Sequence, residues 1–356
     1  MTAIGVGIIG ASPDGGWAGA THIPALAALP EYRLRAVATS RIESAKRASE
    51  LWGVDGFDDP RPLIGHPGVD LVVVAVKVPD HYVLIAEALA AGKMVLSEWP
   101  LAVDLAQAED LAEKASAAGV LTAVGLQGRF TPAIATMRDL VGKGYLGRVV
   151  ATNLVGSGMA WAPGAPKSQA YVFDVRNGVT ALRVSTGHAL STLTHVLGGI
   201  SSVASNLSVG TDSIDLDDGT RIAVTSPDQI ALTLRLRRGA VGTMFYRGGL
   251  SRAGDLRWEI NGTEGDLLLT SPARNGNIPA TELTLAGANG TQTHVTPIAT
   301  PDPDAAMGLT GPASTVVKLY RAFAKDFVSG TTETPSFKDA VDLHRLLDSI
   351  ERGHSA

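Results

Sequence analysis

The chain has 356 residues, of which 45% are apolar and 18% charged, with a formal net charge of -5. That length points to two domains rather than one, and the charge balance argues against a nucleic-acid backbone as main partner, since phosphate binding needs a basic face. Cysteine is absent, which excludes a disulfide framework, thiolate chemistry and a sulfur-ligated metal.

Met-Thr-Ala leads directly into an apolar run, with no basic leader or small-residue cleavage site. Apolar stretches such as 71–76 fall far short of a membrane span. A cytoplasmic protein without membrane association is the expectation. Residues 4–9 read as a short β-branched strand ended by Gly10, and a helix is predicted over 19–29. A second strand covers 34–38 and a helix 42–52. "DLVVVAV" (70–76) is apolar almost throughout, which suits a strand covered on both faces. A helix over 80–91 ends at Gly92, followed by a strand at 94–97, a helix at 104–118 and a strand at 121–124. This alternation predicts a Rossmann doubly wound parallel sheet over residues 1–125.

Beyond Arg129 the rhythm changes. A helix is expected over 134–143, and "GYLGRV" turns into a strand. From 149 to about 300 the signals are strands with Gly, Asn and Asp turns, interrupted by a helix near 188–197. "SQAYVFDVRNG" (168–178) reads as a loop-to-strand segment, and 273–280 and 286–294 as hairpin-type turns. Helices at 316–327 and 337–352 close the chain. Residues 126–356 are thus expected to form an α+β substrate and oligomerisation domain on an open, mainly antiparallel sheet, with packing back on the first domain an option for the closing helices.

"GIIGASPDGGWAGATHIPAL" carries the first chemical signal. Gly10, Gly16 and Gly19 follow a strand and open a helix, as in a pyrophosphate-binding turn, but "ASPDG" stands where one residue is usual. Within the insertion, Ser12 is a candidate donor to phosphate or ribose. The second strand ends in "ATSRIES", with Ser40 and Arg41 and no acid. Hydroxyls beside a guanidinium suit a 2′-phosphate, so NADP is expected, with NAD as the alternative.

Several stretches together resemble the Gfo/Idh/MocA oxidoreductases: "GVGIIG…THIPAL", "DLVVVAVKVPDHYVL", "AGKMVLSEWPLA", "GLQGRF" and "GHALSTLTHVLGG". "GWAGATH", "VKVPDHY" and "SEWPLA" look most like the branch containing the fungal galactose-pathway repressor, which binds dinucleotide as a sensor. The resemblance implies cofactor contacts from Trp17, Lys77, Pro79, His81, Glu98, Trp99 and Gln127. It also implies an open sheet that contributes to a homodimer or homotetramer. In the family's enzymes a Glu-Lys-Pro lysine orients or protonates the substrate oxygen. Here the segment is Glu98-Trp99-Pro100, without that lysine. A second-domain helix in the family carries Asp and, four residues on, His; here these are Ser191 and His195.

Lys77 lies at a carboxyl strand end, where such sheets bind ligands. It is either a partly desolvated replacement for the lost lysine, with a lowered pKa, or a charge that pairs with Glu98 or a phosphate and holds geometry. His188, Ser191, Thr192 and His195 fall at i, i+3, i+4 and i+7, one face of one helix. That face makes His195 and His188 candidate proton carriers, against the alternative of two hydrogen-bonded structural histidines. Two histidines seven apart without a carboxylate do not make a zinc site. Trp99, Arg129, Tyr171, Asp174, His188, Ser191 and His195 are the candidate contacts to a sugar-like small-molecule substrate. Trp17 and Trp161 stack on a ligand or simply pack. Three functions remain open: an NAD(P)-dependent oxidoreductase, a dinucleotide-binding regulator, and a redox-neutral enzyme with tightly held cofactor.

Overall fold

The structure is a computed structural model describing residues 3–158, 160–273 and 275–353. Six strands, β1 (Ile4–Ile9), β2 (Tyr32–Ala38), β3 (Asp55–Phe57), β4 (Leu71–Val74), β5 (Met94–Ser97) and β6 (Thr122–Val124), form one sheet in the order β3-β2-β1-β4-β5-β6. Every pairing is parallel. β1 and β4 are buried at every position, as strands covered on both faces must be. The order reverses between β1 and β4, the switch point where sheets of this kind bind ligands beyond their carboxyl ends.

The helices of this part are α1 (Trp17–Ala20), α2 (His22–Ala27), α3 (Ile42–Trp52), α4 (Pro60–Ile64), α5 (His81–Ala90) and α6 (Leu105–Ala118). The single helix expected over 19–29 is therefore two short ones, broken at Thr21 (φ −126°, ψ −59°). Pro24 gives the reason. It has no N–H and its ring clashes with a preceding helical turn, so the helix restarts where Pro24 falls in a first turn. α6 shows the reverse case of local signals agreeing: Asp104 accepts from Gln107 N at 2.8 Å, and Gly119 ends the helix in the left-handed region. β3 and α4, with three and five residues, are too short to leave a periodic signal. The 70–76 run is strand only over Leu71–Val74.

Next come α7 (Pro132–Gly142), β7 (Val149–Gly158), α8 (Gly187–Leu197) and β8 (Ile200–Ser208). β9 (Ser213–Asp215) and β10 (Arg221–Ala223) pair as a separate ribbon. β11 (Gln229–Leu236), β12 (Val241–Gly248), β13 (Leu256–Gly262), β14 (Gly265–Thr270), β15 (Thr284–Asn289) and β16 (Thr296–Ile298) follow. Eight strands form a sheet in the order β16-β15-β14-β13-β7-β12-β11-β8, antiparallel except for the β12–β7 pair. β11 and β12 alternate strictly between buried and outward residues, so one face is covered and the other open. On the covered face Trp258 is fully buried and its indole N–H donates to Thr152 Oγ1 at 2.8 Å. Tyr246 donates to the Gly276 carbonyl at 2.6 Å.

Two corrections fall in this part. Residues 168–178 are not a loop entering a strand but two 3-10 turns, Lys167–Phe173 and Val175–Asn177. The 273–280 stretch, of which Arg274 lies outside the described residues, belongs to the wide connection from β14 to β15 and contains a 3-10 turn at Ile278–Ala280.

The chain ends with α9 (Gly311–Ser329) and α10 (Phe337–Glu351). Two compact units result: the chain up to Gln127 with Asp304–His344, and Gly128–Pro303 with the chain from Arg345. Among the described residues no helix is long and apolar enough to cross a membrane. Within the second unit Gly156 of β7 lies under the Tyr246 ring, where a Cβ would stand 2.2 Å from Cζ. Gly156→Ala is expected to destabilise the protein by about 2–3 kcal/mol through overpacking, read as a lower denaturation midpoint with unchanged m.

Candidate functional site

In the first unit the turn after β1 is built on glycine. Gly10 has φ +102°, and a Cβ there would lie 2.4 Å from the Ala75 carbonyl oxygen. Gly15 and Gly16 also have positive φ, and a Cβ at either would meet nothing within 4 Å, so their main chain is open. At Gly19 a Cβ would stand 3.1 Å from the Ser12 carbonyl, so this glycine lets α1 approach the loop. The extra residues tie the loop down: Ser12 Oγ accepts from Asp14 N at 3.3 Å, and the Asp14 carboxylate pairs with Arg47 of α3. Trp17 stands 36% exposed at the start of α1. At the end of β2, Ser40 and Arg41 are exposed, and Arg41 occupies the N-cap of α3. The Thr39 hydroxyl is engaged locally with Ser44 Oγ at 2.6 Å.

At the ends of β4, β5 and β6 the side chains diverge. Lys77 and Pro79 are exposed after β4, so the desolvation expected of Lys77 is not present. His81, expected at a cofactor, is instead buried between strand ends, with Nδ1 3.0 Å from the Pro100 carbonyl and Nε2 3.1 Å from the Val76 carbonyl. Burial pushes its pKa below the ordinary value, against those carbonyls and Glu98. Trp99, expected to face ligand, is 5% exposed and turns inward, its ring 4.8 Å from that of His344. Glu98 remains at the strand end, packed over Gly125, where a Cβ would lie 2.7 Å from Oε2. Gln127 is buried, and its Oε1 has no hydrogen-bond partner within the protein. A buried orphan acceptor, an open glycine turn, exposed Lys77 after β4 and exposed Arg41 after β2 fit a dinucleotide.

Glu98 leads to residues that the sequence did not single out. His22 of α2 is fully buried, with Nε2 2.8 Å from Glu98 Oε1 and Nδ1 2.8 Å from Tyr320 Oη on α9. Tyr32 donates to the Tyr320 carbonyl at 2.6 Å and lies edge-on against its ring. "THIPAL" held the histidine, but its partner lies 298 residues away.

In the second unit a π-helical turn, Leu182–Thr186, runs into α8. Such turns often mark functional segments. His188, Ser191 and Thr192 are buried on α8, and His195 is partly accessible at its last turn. Thr192 donates back to the His188 carbonyl at 2.8 Å, whereas Ser191 Oγ accepts from Arg129 Nε at 2.8 Å. Two candidates are thus joined by one hydrogen bond. Asp174 is engaged otherwise. It caps Val175–Asn177 through Arg176 N and holds the Arg176 guanidinium, which keeps its carboxyl below the usual range. Tyr171 is half-buried in the preceding turn, where burial pushes its phenol up. Trp161 is a packing residue, donating to the Val172 carbonyl at 3.3 Å.

Comparison with known proteins agrees with this architecture. Residues 4–126 match the oxidoreductase family with an NAD-binding Rossmann fold, and residues 132–271 match the C-terminal domain of Gal80p. The chain is 26% identical to the galactose/lactose metabolism regulatory protein GAL80 of Saccharomyces cerevisiae, over 99% of this chain and 92% of that one. It is 31% identical to the dehydrogenase aclE of Aspergillus oryzae, over 68% of this chain and 69% of that one. Its fold matches levoglucosan dehydrogenase in complex with NADH and L-sorbose, with TM-score 0.85 and 22% identity over 100% and 99% of the two chains.

Gly10→Ala places a methyl group against the Ala75 carbonyl at a φ that L-residues avoid. An expected loss of about 2–4 kcal/mol in stability should be accompanied by loss of dinucleotide binding, both measurable by denaturation and calorimetry on the same preparation.

Proposed function

From the premise that this chain belongs to the Gfo/Idh/MocA oxidoreductase family, we propose that it transfers hydride between a nicotinamide dinucleotide and a small sugar, polyol or other hydroxyl or carbonyl compound. The observation that carries the reading is α8. A helix otherwise apolar but for Thr194, whose hydroxyl bonds back to the main chain, aligns buried His188, Ser191 and Thr192 on one face, places Arg129 on Ser191, and leaves His195 partly accessible. A polar face of that cost is well suited to holding a hydroxylated substrate. His195 takes the role of proton carrier, and Arg129 orients substrate oxygen. Lys77, exposed beyond β4, contributes charge rather than a desolvated base. When bound, the dinucleotide donates or accepts the hydride; the Gly10 turn and the open main chain at Gly15 and Gly16 hold its diphosphate.

NADP is the proposed form, because the end of β2 presents Ser40 and Arg41 and no acid. The open sheet face, with Val155, Val241 and Phe245 exposed, supports a homodimer or homotetramer. One observation favours a second reading, a dinucleotide-responsive regulator: Trp99 replaces the family lysine and is packed inward, which leaves that position without a titratable group.

A panel of sugars, polyols and keto compounds, followed at the absorbance of reduced nicotinamide, separates the readings. Turnover is expected with at least one compound, and His195→Ala should lower kcat by about 10²–10⁴; tight binding with no turnover on any compound would favour the regulator. Arg41→Ala should weaken NADP by about tenfold and leave NAD nearly unchanged, as measured by calorimetry.

A further inference from the structure

We propose that Tyr320, His22 and Glu98 form a fixed hydrogen-bond chain that holds a carboxylate at the end of β5 and makes the site favour oxidised, cationic nicotinamide over the reduced, neutral form. This inference rests on the dinucleotide reading above and concerns the redox state that the same site selects.

The chain has a defined direction. Tyr320 is fully buried, and burial pushes its phenol well above the ordinary value, so it retains its proton. Among the described residues its hydroxyl has one hydrogen-bond partner, His22 Nδ1 at 2.8 Å. A buried hydroxyl hydrogen needs an acceptor, so Nδ1 accepts and carries no proton. The ring hydrogen is then on Nε2, which donates to Glu98 Oε1 at 2.8 Å. His22 is fully enclosed, whereas the Glu98 side chain keeps 14% of its surface. The two inner members are therefore enclosed, and the outer one presents its carboxylate at the strand end. The second carboxylate oxygen faces Gly125, where any side chain would displace it.

Position gives the charge its effect. A doubly wound sheet binds the two halves of a dinucleotide on either side of the switch point. With the diphosphate at the Gly10 turn and the adenosine ribose toward the end of β2, the nicotinamide half belongs over β4, β5 and β6. Hydride addition removes the positive charge of that ring. A nearby carboxylate, in surroundings less polar than water, therefore distinguishes the two states. Lys77 at the end of the adjacent strand is exposed, where water and salt screen it.

Dissociation constants of NAD⁺, NADH, NADP⁺ and NADPH are measured by calorimetry for the full chain, Glu98→Gln and Tyr320→Phe. Glu98→Gln should weaken the oxidised forms about tenfold and leave the reduced forms nearly unchanged. Tyr320→Phe should move the ratio the same way by less. Equal changes in both states, or none, for Glu98→Gln overturns the proposal while the dinucleotide reading stands. Failure of all four to bind the folded wild-type chain overturns both. Nitrogen NMR of ligand-free wild-type protein tests the chain without any variant: His22 should show protonated Nε2 and bare Nδ1, and the opposite tautomer overturns it.

Discussion

The distance between the end of β1 and the chain leaving β4 is the constraint on which the first unit depends. The strands pair in parallel from Val6–Leu71 to Ile9–Val74, and the pairing continues through Ala75 N to the Ile9 carbonyl at 3.0 Å. Gly10 then turns with its α-carbon against the Ala75 carbonyl, a position no side chain can occupy. Because the chain turns there, the four extra residues of the "ASPDG" segment swing out as a loop without disturbing the sheet. Asp14 then finds Arg47, and Ser12 turns back on Asp14. A longer loop after a fixed turn is accommodated at little cost, since loop-closure entropy rises slowly with length.

The strands and helices that the sequence disclosed are those long enough to show a period or sharply punctuated. β1, α3 and α6 follow from apolar patterning, an acidic cap or a closing glycine, all local properties. The break in the first helix was also local, since Pro24 was visible, but its effect depended on where the preceding turn ended. The 3-10 turns at 167–177 were unreadable for a different reason. "AYVF" has strand-like composition, and only its surroundings decide that it coils, with Asn177 Nδ2 donating to the Tyr171 carbonyl at 2.8 Å.

Candidate side chains divided along the same line. Glycines can be read from sequence because their role is steric and backbone-borne. Side-chain direction cannot, because alternation fixes a face within a strand and stops at its last residue. Glu98 and Trp99 are neighbours just past β5, yet one reaches the strand end and the other packs on His344. His81 and Asp174 were credible polar candidates whose hydrogen bonds are used by the backbone around them. Tyr320 lay beyond reach because a phenylalanine at that place would pattern identically on α9. Only its hydroxyl, aimed at His22, distinguishes it.

The Glu98-Trp99-Pro100 segment holds no lysine, so under the proposed reading it offers no proton carrier, while the groups proposed to hold a nucleotide are untouched. In the proposed function, binding would rely on main-chain geometry at Gly10 and on fixed charges, and proton transfer on one titratable atom within reach of substrate. The two properties can therefore change independently in one fold. A buried indole in place of an ammonium also changes the electrostatics at the strand end. It leaves Glu98, tied to His22, as the charged member of that segment. A carboxylate whose sequence neighbour is not a lysine interacts more strongly with a cationic ring than one whose field is partly cancelled by that neighbour. An indole at this position, which offers no proton, is thus the feature that would sharpen the response of the site to the charge of its nucleotide.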